Sequence, residues 1–403
     1  MRHPVRLAAI AGAAATLGAL FLPAVAGADG FGPGHGGGEG HAGAPVYVLT
    51  NDPTGNQVVT YVPDRTGALH QAGRTDTGGL GTSIPGAAVD KLASQGGLTA
   101  DPSDGLLVAV NGGSDTISVF HTSGADLSAP RVVSSGGSTP VSVAVRGDLI
   151  YVLDAGGAGS VQGFYAHSLA PIPGSNQSLG LTPGVTPAFL HTPGQIGFTP
   201  DGRHVVVTTK ASGSAIDVFN VTWSGSLAGA PVVNASATPV PFGFTFDRNG
   251  DLVVTEAATS ALTTYSVAPT GTLTELGSTT DGLKALCWVT TNGRFFFGAN
   301  AGSASVTSYT LGSTGTPAVV ATTATDAGPV DLAASADGTA LYVETGASDL
   351  VDSFAIGSDG TLVPTGSVAP ELPGHSGLEG IAVGGSRDGN GNGSGNGSGE
   401  GGF

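Results

Sequence analysis

The chain has 403 residues, 40% hydrophobic and 11% charged, with 69 Gly, 25 Pro and one Cys. Thirteen Lys and Arg against 30 Asp and Glu leave a formal charge of −17, which repels phosphate backbones and excludes nucleic acid as the expected partner. A lone cysteine excludes an intrachain disulfide framework, and this much Gly and Pro points to a protein of turns and strands.

Residues 1–28 read as a secretory signal peptide. Arg2 and Arg6 form the charged region, Leu7 to Leu22 the apolar one, and Ala24-Val25-Ala26 or Ala26-Gly27-Ala28 a small-residue cleavage site. The apolar stretch is short for a spanning helix, and no other transmembrane candidate follows, so the protein is expected to be secreted. Residues 29–45 form a Gly/His-rich linker, with His35 and His41 read as solvated.

Residues 46–385 carry a repeat, plainest at Pro193 to Phe219. There QIGF, the turn Pro200-Asp201-Gly202, the strand RHVVVTT and the strand AIDVF follow one another. An aromatic closes the third strand of each unit at Tyr61, Phe120, Phe164, Phe219, Tyr265, Tyr309 and Phe354, with separations of 59, 44, 55, 46, 44 and 45 residues. A turn glycine precedes the second strand at Gly105, Gly147, Gly202, Gly250, Gly293 and Gly338. Another follows the third strand at Gly67, Gly124, Gly225, Gly271, Gly315 and Gly360.

Four short strands per 40–50 residues is the period of a propeller blade, so the chain is expected to be all-β, a seven-bladed β-propeller. A solenoid would need a shorter period, and sandwiches would not repeat seven times. Blade one lacks a first strand at its N-terminus, and Gly377 to Val383 supplies one of the right type. The ring is therefore predicted to close by a C-terminal strand joining the N-terminal blade. Residues 78–95 and 182–192 read as insertions. The tail, residues 386–403, is Gly/Asn/Ser-rich and expected to be disordered. Its run from Asp388 resembles the start of an EF-hand loop, but Gly399 stands where the ligating Glu belongs.

Candidate chemistry is read from position, because no H-E-x-x-H, C-x-x-C or G-x-S-x-G motif is present. Loops after each second strand share a face with the starts of the inner strands, around the channel mouth. The second strands are read as ending on Asn51, Asn111, Asp154, Thr209, Glu256, Asn300 and Glu344. Asn and Asp there also suit ordinary turn chemistry, whereas Glu is a poorer turn former. Gln195, Asp331 and Glu379 are expected to line a water-filled channel, and His191 and His375 each precede an inner strand. Cys287, beside Trp288, reads as a small buried hydrophobe.

The repeated P-x-x-I/L-x-F-x-P-D-G, the runs PVDLAASADGTALYV and TPVPFGFTFDRNGDLVVTEA, and Cys287-Trp288-Val289 resemble the secreted, lactonase-type seven-bladed propellers. Phosphogluconolactonase-like and carboxymuconate-cyclase-like proteins belong to that family. The resemblance implies the propeller fold and hydrolysis of a lactone. It also implies a His near the start of an inner strand and an acidic segment after the second. Here Pro193-Gly194-Gln195 and Thr209-Lys210-Ala211 occupy those places, and His191 lies two residues before Pro193.

Two functions are carried forward. The first is a hydrolase of a lactone or sugar acid, with His191, Lys210 and Glu256 as catalytic candidates and Asp154, Gln195, Asp331, Glu344, His375 and Glu379 as substrate-binding ones. The second is a non-catalytic extracellular propeller that binds a small molecule or carbohydrate. No cofactor is required by either; calcium is a candidate guest for clustered carboxylates. The protein is expected to be a monomer.

Overall fold

Seven four-strand repeats form the seven sheets of a propeller in the computed structural model, which describes residues 43–182, 184–370 and 377–385. The leader, most of the linker, the tail and His375 lie outside the described residues. Inner to outer, blade four runs Ile196–Phe198, His204–Thr208, Ala215–Asn220 and Val232–Ala235. Blades five, six and seven repeat that order from Pro241, Leu286 and Pro329. Blade two carries a fifth strand, because both Asp126–Leu127 and Arg131–Ser134 pair with Thr116–Ser123.

Closure follows the predicted route. Val46–Leu49 pairs with Gln57–Pro63 on one side and with Ile381–Val383 on the other, in the register Val46↔Val383 and Val48↔Ile381. One apolar cluster joins Tyr342 and Val351 of blade seven to Val46, Val48 and Tyr61 of blade one, with Ile381 among them.

The sequence pattern explains the layering. Second strands such as Leu106–Asn111 and Ala340–Thr345 are buried along their whole length, since a blade's middle strands face neighbouring blades on both sides. Outer strands such as Leu273–Thr280 are half-buried or exposed. The core therefore lies between blades: Val206, Ile216 and Val218 of blade four pack on Phe244, Leu252, Val254 and Tyr265 of blade five.

All seven repeat aromatics lie in third strands and are buried, each opposite an aliphatic or aromatic partner, as in Leu107↔Phe120 and Leu252↔Tyr265. The twelve repeat glycines all have φ between +55° and +88°, where a Cβ is costly. Several present their carbonyl to the preceding blade: Tyr47 Oη donates to Gly124 O at 2.8 Å, and Thr264 Oγ1 to Gly315 O at 2.7 Å. Asp carboxylates hold the tight turns, as where Asp201 Oδ1 accepts from Arg203 N at 3.0 Å and Asp337 Oδ1 from Thr339 N at 3.0 Å.

Candidate functional site

The channel expected to hold water is occupied by the first insertion. Beyond the outer strand of blade one, Asn51 clamps the insertion at Thr82 with two hydrogen bonds, 2.8 and 3.0 Å. The chain then runs to the axis. Ser94 Oγ donates to Val141 O of blade three, and Ser94 O accepts from Trp288 Nε1 of blade six at 2.9 Å. Gln95 N donates to Gly194 O of blade four, and Gln95 O accepts from Ser142 Oγ of blade three. The Gln95 side-chain amide exchanges a pair of bonds with the Val289 backbone, 2.9 and 3.1 Å. Gly96 N donates to Asp331 Oδ2 of blade seven at 3.1 Å.

Residues 91–96 are thus a plug that satisfies the inward-facing backbone of several blades at once. A Cβ at Gly243 in blade five would lie 2.1 Å from Gln95 Oε1, so the plug requires glycine there. The inner strands of blades five, six and seven each carry a register shift, between Pro241 and Phe244, Leu286 and Trp288, and Pro329 and Leu332. Gly243, Cys287 and Asp331 sit at these irregularities, which turn them toward the plug.

Ionisable groups gather where the plug meets the mouth. Asp90 stays half-buried and hydrogen-bonds the buried Glu379 carboxyl. Glu379 also accepts from Lys91 N. Glu344 Oε2 accepts from Gly380 N at 2.9 Å, leaving Oε1 without a hydrogen-bond partner among the described residues. Burial raises all these carboxyls above their ordinary range, Glu344 and Glu379 well above it; the charge of Asp90 raises Glu379, Glu344 and Asp331 further, while the Glu379 hydrogen bond and Lys210 pull Asp90 itself back down. Burial likewise pushes Asp331 up to about 7.

Lys210 is the cation of this cluster. It is fully buried and donates to Ala93 O at 2.5 Å, Phe189 O at 2.7 Å and Thr192 Oγ1 at 2.8 Å, with its ammonium 5.2 Å from the Phe242 ring centroid. Burial brings its pKa down to about 7, against the opposing pull of Asp90. Its three donors are spent inside the protein, so it holds the plug and the second insertion together and has none left for a substrate. His191 stands in that second insertion, half-buried, its carbonyl accepting from Ser212 Oγ at 2.7 Å and its ring Nδ1 buried without a hydrogen-bond partner among the described residues.

Glu256 does not join Lys210 and His191. Its carboxylate accepts from Ser236 Oγ, Thr238 Oγ1, Thr263 Oγ1 and Tyr265 Oη, at 2.5 to 2.7 Å, and clasps blade five to the segment that leads into it. Asp154 occupies the same register position in blade three. It is fully buried, neither of its carboxylate oxygens has a hydrogen-bond partner among the described residues, and burial pushes its pKa up to about 7. Asn111 accepts likewise from Thr77 Oγ1 at 2.7 Å. Glu256 and Asn111 are thus clasps across the blade edge, a role distinct from both turn chemistry and a ring around the mouth, whereas Asp154 holds a like position with its carboxyl unbonded among the described residues.

Glu344 is not their counterpart, because the residue opposite the first proline of the inner strand in blade seven is Thr345, as Glu256 is in blade five. The one-residue offset turns Glu344 across the pleat toward the closing strand. Thr208, similarly, ends the second strand of blade four, where Thr209 was expected. Gln195 is also committed, its Oε1 accepting from Phe244 N of blade five at 2.6 Å. Cys287 is a buried free thiol whose pKa burial raises.

Sequence reasoning missed Asp90 and the plug. The available signal was Leu92-Ala93 followed by Ser94-Gln95-Gly96-Gly97, an uncharged, small-residue stretch unlike a solvated loop. Among the described residues no three His, Cys, Asp or Glu side chains are placed to hold a metal ion, and no helix is long and apolar enough to cross a membrane.

Residues 98–290 match the family described as lactonase, 7-bladed β-propeller. No curated protein matches the chain. Similar solved structures include a Bacteroides fragilis protein provisionally called a 6-phosphogluconolactonase, with 16% identity and a TM-score of 0.67, covering 85% of this chain and 98% of that one. The Pseudomonas aeruginosa periplasmic gluconolactonase has 18% identity and a TM-score of 0.63, covering 81% and 96%. A streptogramin B lyase is more distant, at 13% identity and a TM-score of 0.53, covering 74% and 89%. At these identities the likeness is one of fold.

Proposed function

We propose that this chain, a lactonase-type seven-bladed β-propeller, hydrolyses a neutral lactone of the sugar-acid class at the mouth of its ring. The observation that carries this reading is the Asp90–Glu379 carboxyl pair, hydrogen-bonded to each other beside the Lys210 cation. Burial raises both carboxyls above their ordinary range and they hydrogen-bond each other, so the pair can divide the roles of acid and base. The ionised member takes a proton from water as that water bonds to the lactone carbonyl carbon. The protonated member then gives its proton to the ring oxygen as the ester C–O bond breaks. Lys210 touches neither reactant and acts by stabilising the charged state of the pair.

The substrate class follows from charge. With −17 overall, a phosphorylated or already ionised sugar is disfavoured. A neutral lactone enters without that penalty, and the sugar-acid anion it yields is repelled. In the same proposal the protein is an exported monomer, a reading that the leader-like residues 1–28 support for export.

A second reading, a non-catalytic binding propeller, is favoured by the saturated hydrogen bonding of Lys210 and Glu256 and by the plug itself. Titration of released acid over a panel of neutral sugar lactones decides between them. Turnover by the unaltered protein, reduced about 10²–10⁴-fold in Asp90→Asn with the melting temperature maintained, is the expected result. Absence of turnover, or turnover indifferent to Asp90→Asn, makes the binding reading the correct one.

A further inference from the structure

The opposite face of the ring carries a groove of about 750 Å³ across blades two, three and four. It is built from the turns between first and second strands, Asp101 to Asp104, Arg146-Gly147 and Asp201-Gly202, and from the blade-four turn Val221 to Trp223. Trp223 is 100% exposed. A fully solvated indole forgoes the largest burial gain of any side chain, so a turn that presents one invites a ligand.

That turn is held rigid. Thr222 N donates to Ser226 O, Gly225 N to Thr222 O, Tyr165 Oη of blade three to Ser224 O at 3.1 Å, and Ser226 Oγ to Pro173 O at 2.7 Å. The facing wall is fixed as well, since Asp101 Oδ2 accepts from Gly147 N at 3.1 Å. The Arg146 guanidinium and the Asp104 carboxylate are exposed in the groove, and neither side chain has a hydrogen-bond partner among the described residues.

We propose that this groove binds a neutral oligosaccharide, with Trp223 as the platform for one sugar ring and Arg146 and Asp104 as partners for hydroxyl groups. An aromatic face packs on the C–H face of a pyranose, and a planar guanidinium or carboxylate matches a pair of vicinal hydroxyls. One wall carries both signs of charge, which suits a neutral polar ligand better than an anion. Trp223 is the one aromatic in a lining that mixes Asp101, Asp104, Arg146 and Asp201 with small aliphatic groups, which suits a sugar better than an apolar protein surface. Because platform and walls are already ordered, binding loses little conformational freedom.

The protein supplies its own reporter. Its two tryptophans are Trp223 and the buried Trp288, whose N–H is bonded inside the ring, so a change in tryptophan emission on binding reports Trp223. The unaltered protein is titrated with cellohexaose, xylohexaose and chitohexaose, and separately with anionic phosphatidylglycerol vesicles. A blue shift saturating with at least one hexasaccharide is expected. In Arg146→Ala the affinity should fall at least 5-fold. In Trp223→Ala, followed by calorimetry, it should fall at least 10-fold with the melting temperature unchanged. Lactone turnover should be untouched by either substitution, which separates this groove from the opposite mouth. No response to any of the three sugars, binding that survives Trp223→Ala, or a response to vesicles alone overturns the assignment.

Discussion

The Lys210 ammonium lies 2.5 Å from the carbonyl oxygen of Ala93 and ties blade four to the segment that fills the ring's axis. Both residues have positive φ, +48° and +54°, a conformation that non-glycine residues adopt at a cost. The bond and the backbone geometry are set by the same packed centre.

Removing that ammonium should loosen the centre. Lys210→Met preserves length and apolar bulk but leaves Ala93 O, Phe189 O and Thr192 Oγ1 without their donor. The expected loss is about 2–4 kcal/mol, read from denaturant unfolding at pH 6, where the ammonium is charged. A variant as stable as the parent would mean that Lys210 is not the fastener described.

Stability should have an unusual pH profile. Asp154 and Asp331 keep their protons to about pH 7 when folded, against 3.8 when free. An acid whose pKa folding raises binds more protons folded than unfolded between those values, so stability falls as pH climbs from about 4 to 7. Each such group shifts stability by on the order of 1–4 kcal/mol across that window. Lys210 acts in the next window, from about 7 to 10.5: there the folded state binds fewer protons, and stability recovers as pH rises. Asp101, Asp201 and Asp337, held low by their turn hydrogen bonds, act in the opposite sense below pH 4. Melting temperatures should therefore pass through a minimum near neutrality, and Asp331→Asn should flatten the acid-side limb.

Glu256 should behave as a clasp. Glu256→Gln replaces an acceptor of four hydroxyl hydrogen bonds by a group that accepts fewer, at a cost of about 1–3 kcal/mol. Lactone turnover, if present, should be unchanged. A large loss of rate at unaltered stability would restore the catalytic role that sequence position suggested.

Ending the chain before Pro373 removes the strand paired with Val46–Leu49, along with Glu379 and Gly380. The truncated protein should lose several kcal/mol, on the order of the buried apolar surface of one packed strand, and should tend to associate through the bared edge. Calorimetric melting with light scattering checks both.

The fold was legible because each blade repeats a local rule. Turn glycine, buried aromatic and aliphatic second strand recur in one order, and a period needs no knowledge of the partner blade. Closure was legible for the same reason, since Leu378 to Val383 completes a count that the N-terminus leaves short. The site was not, because its elements occur once. The plug folds against several blades together, and nothing local marks Ser94 and Gln95 as ligands of Trp288 and Val289. Glu344 was misaligned with Glu256 because the second strand of blade seven, Ala340–Thr345, is one residue longer than Leu252–Glu256 of blade five, so that Thr345 takes the place opposite the first proline. Lys210 drew attention as a lone cation near an inner strand, but its three protein acceptors come from segments distant in sequence, Ala93 among them.

The plug and the segment leading into the closing strand meet at Asp90–Glu379 and at Lys91 N–Glu379, junctions between residues 289 and 288 positions apart. During synthesis Glu379 leaves the ribosome only after blades two to seven have been made. Until then the nascent chain carries an unpaired inner edge at Val46–Leu49 and an axis segment, residues 91–96, whose acceptors on blades four, six and seven do not yet exist. The hub therefore sets last although its residues are made early, and the chain's vulnerability to misassembly ends only with the emergence of Glu379 to Val383.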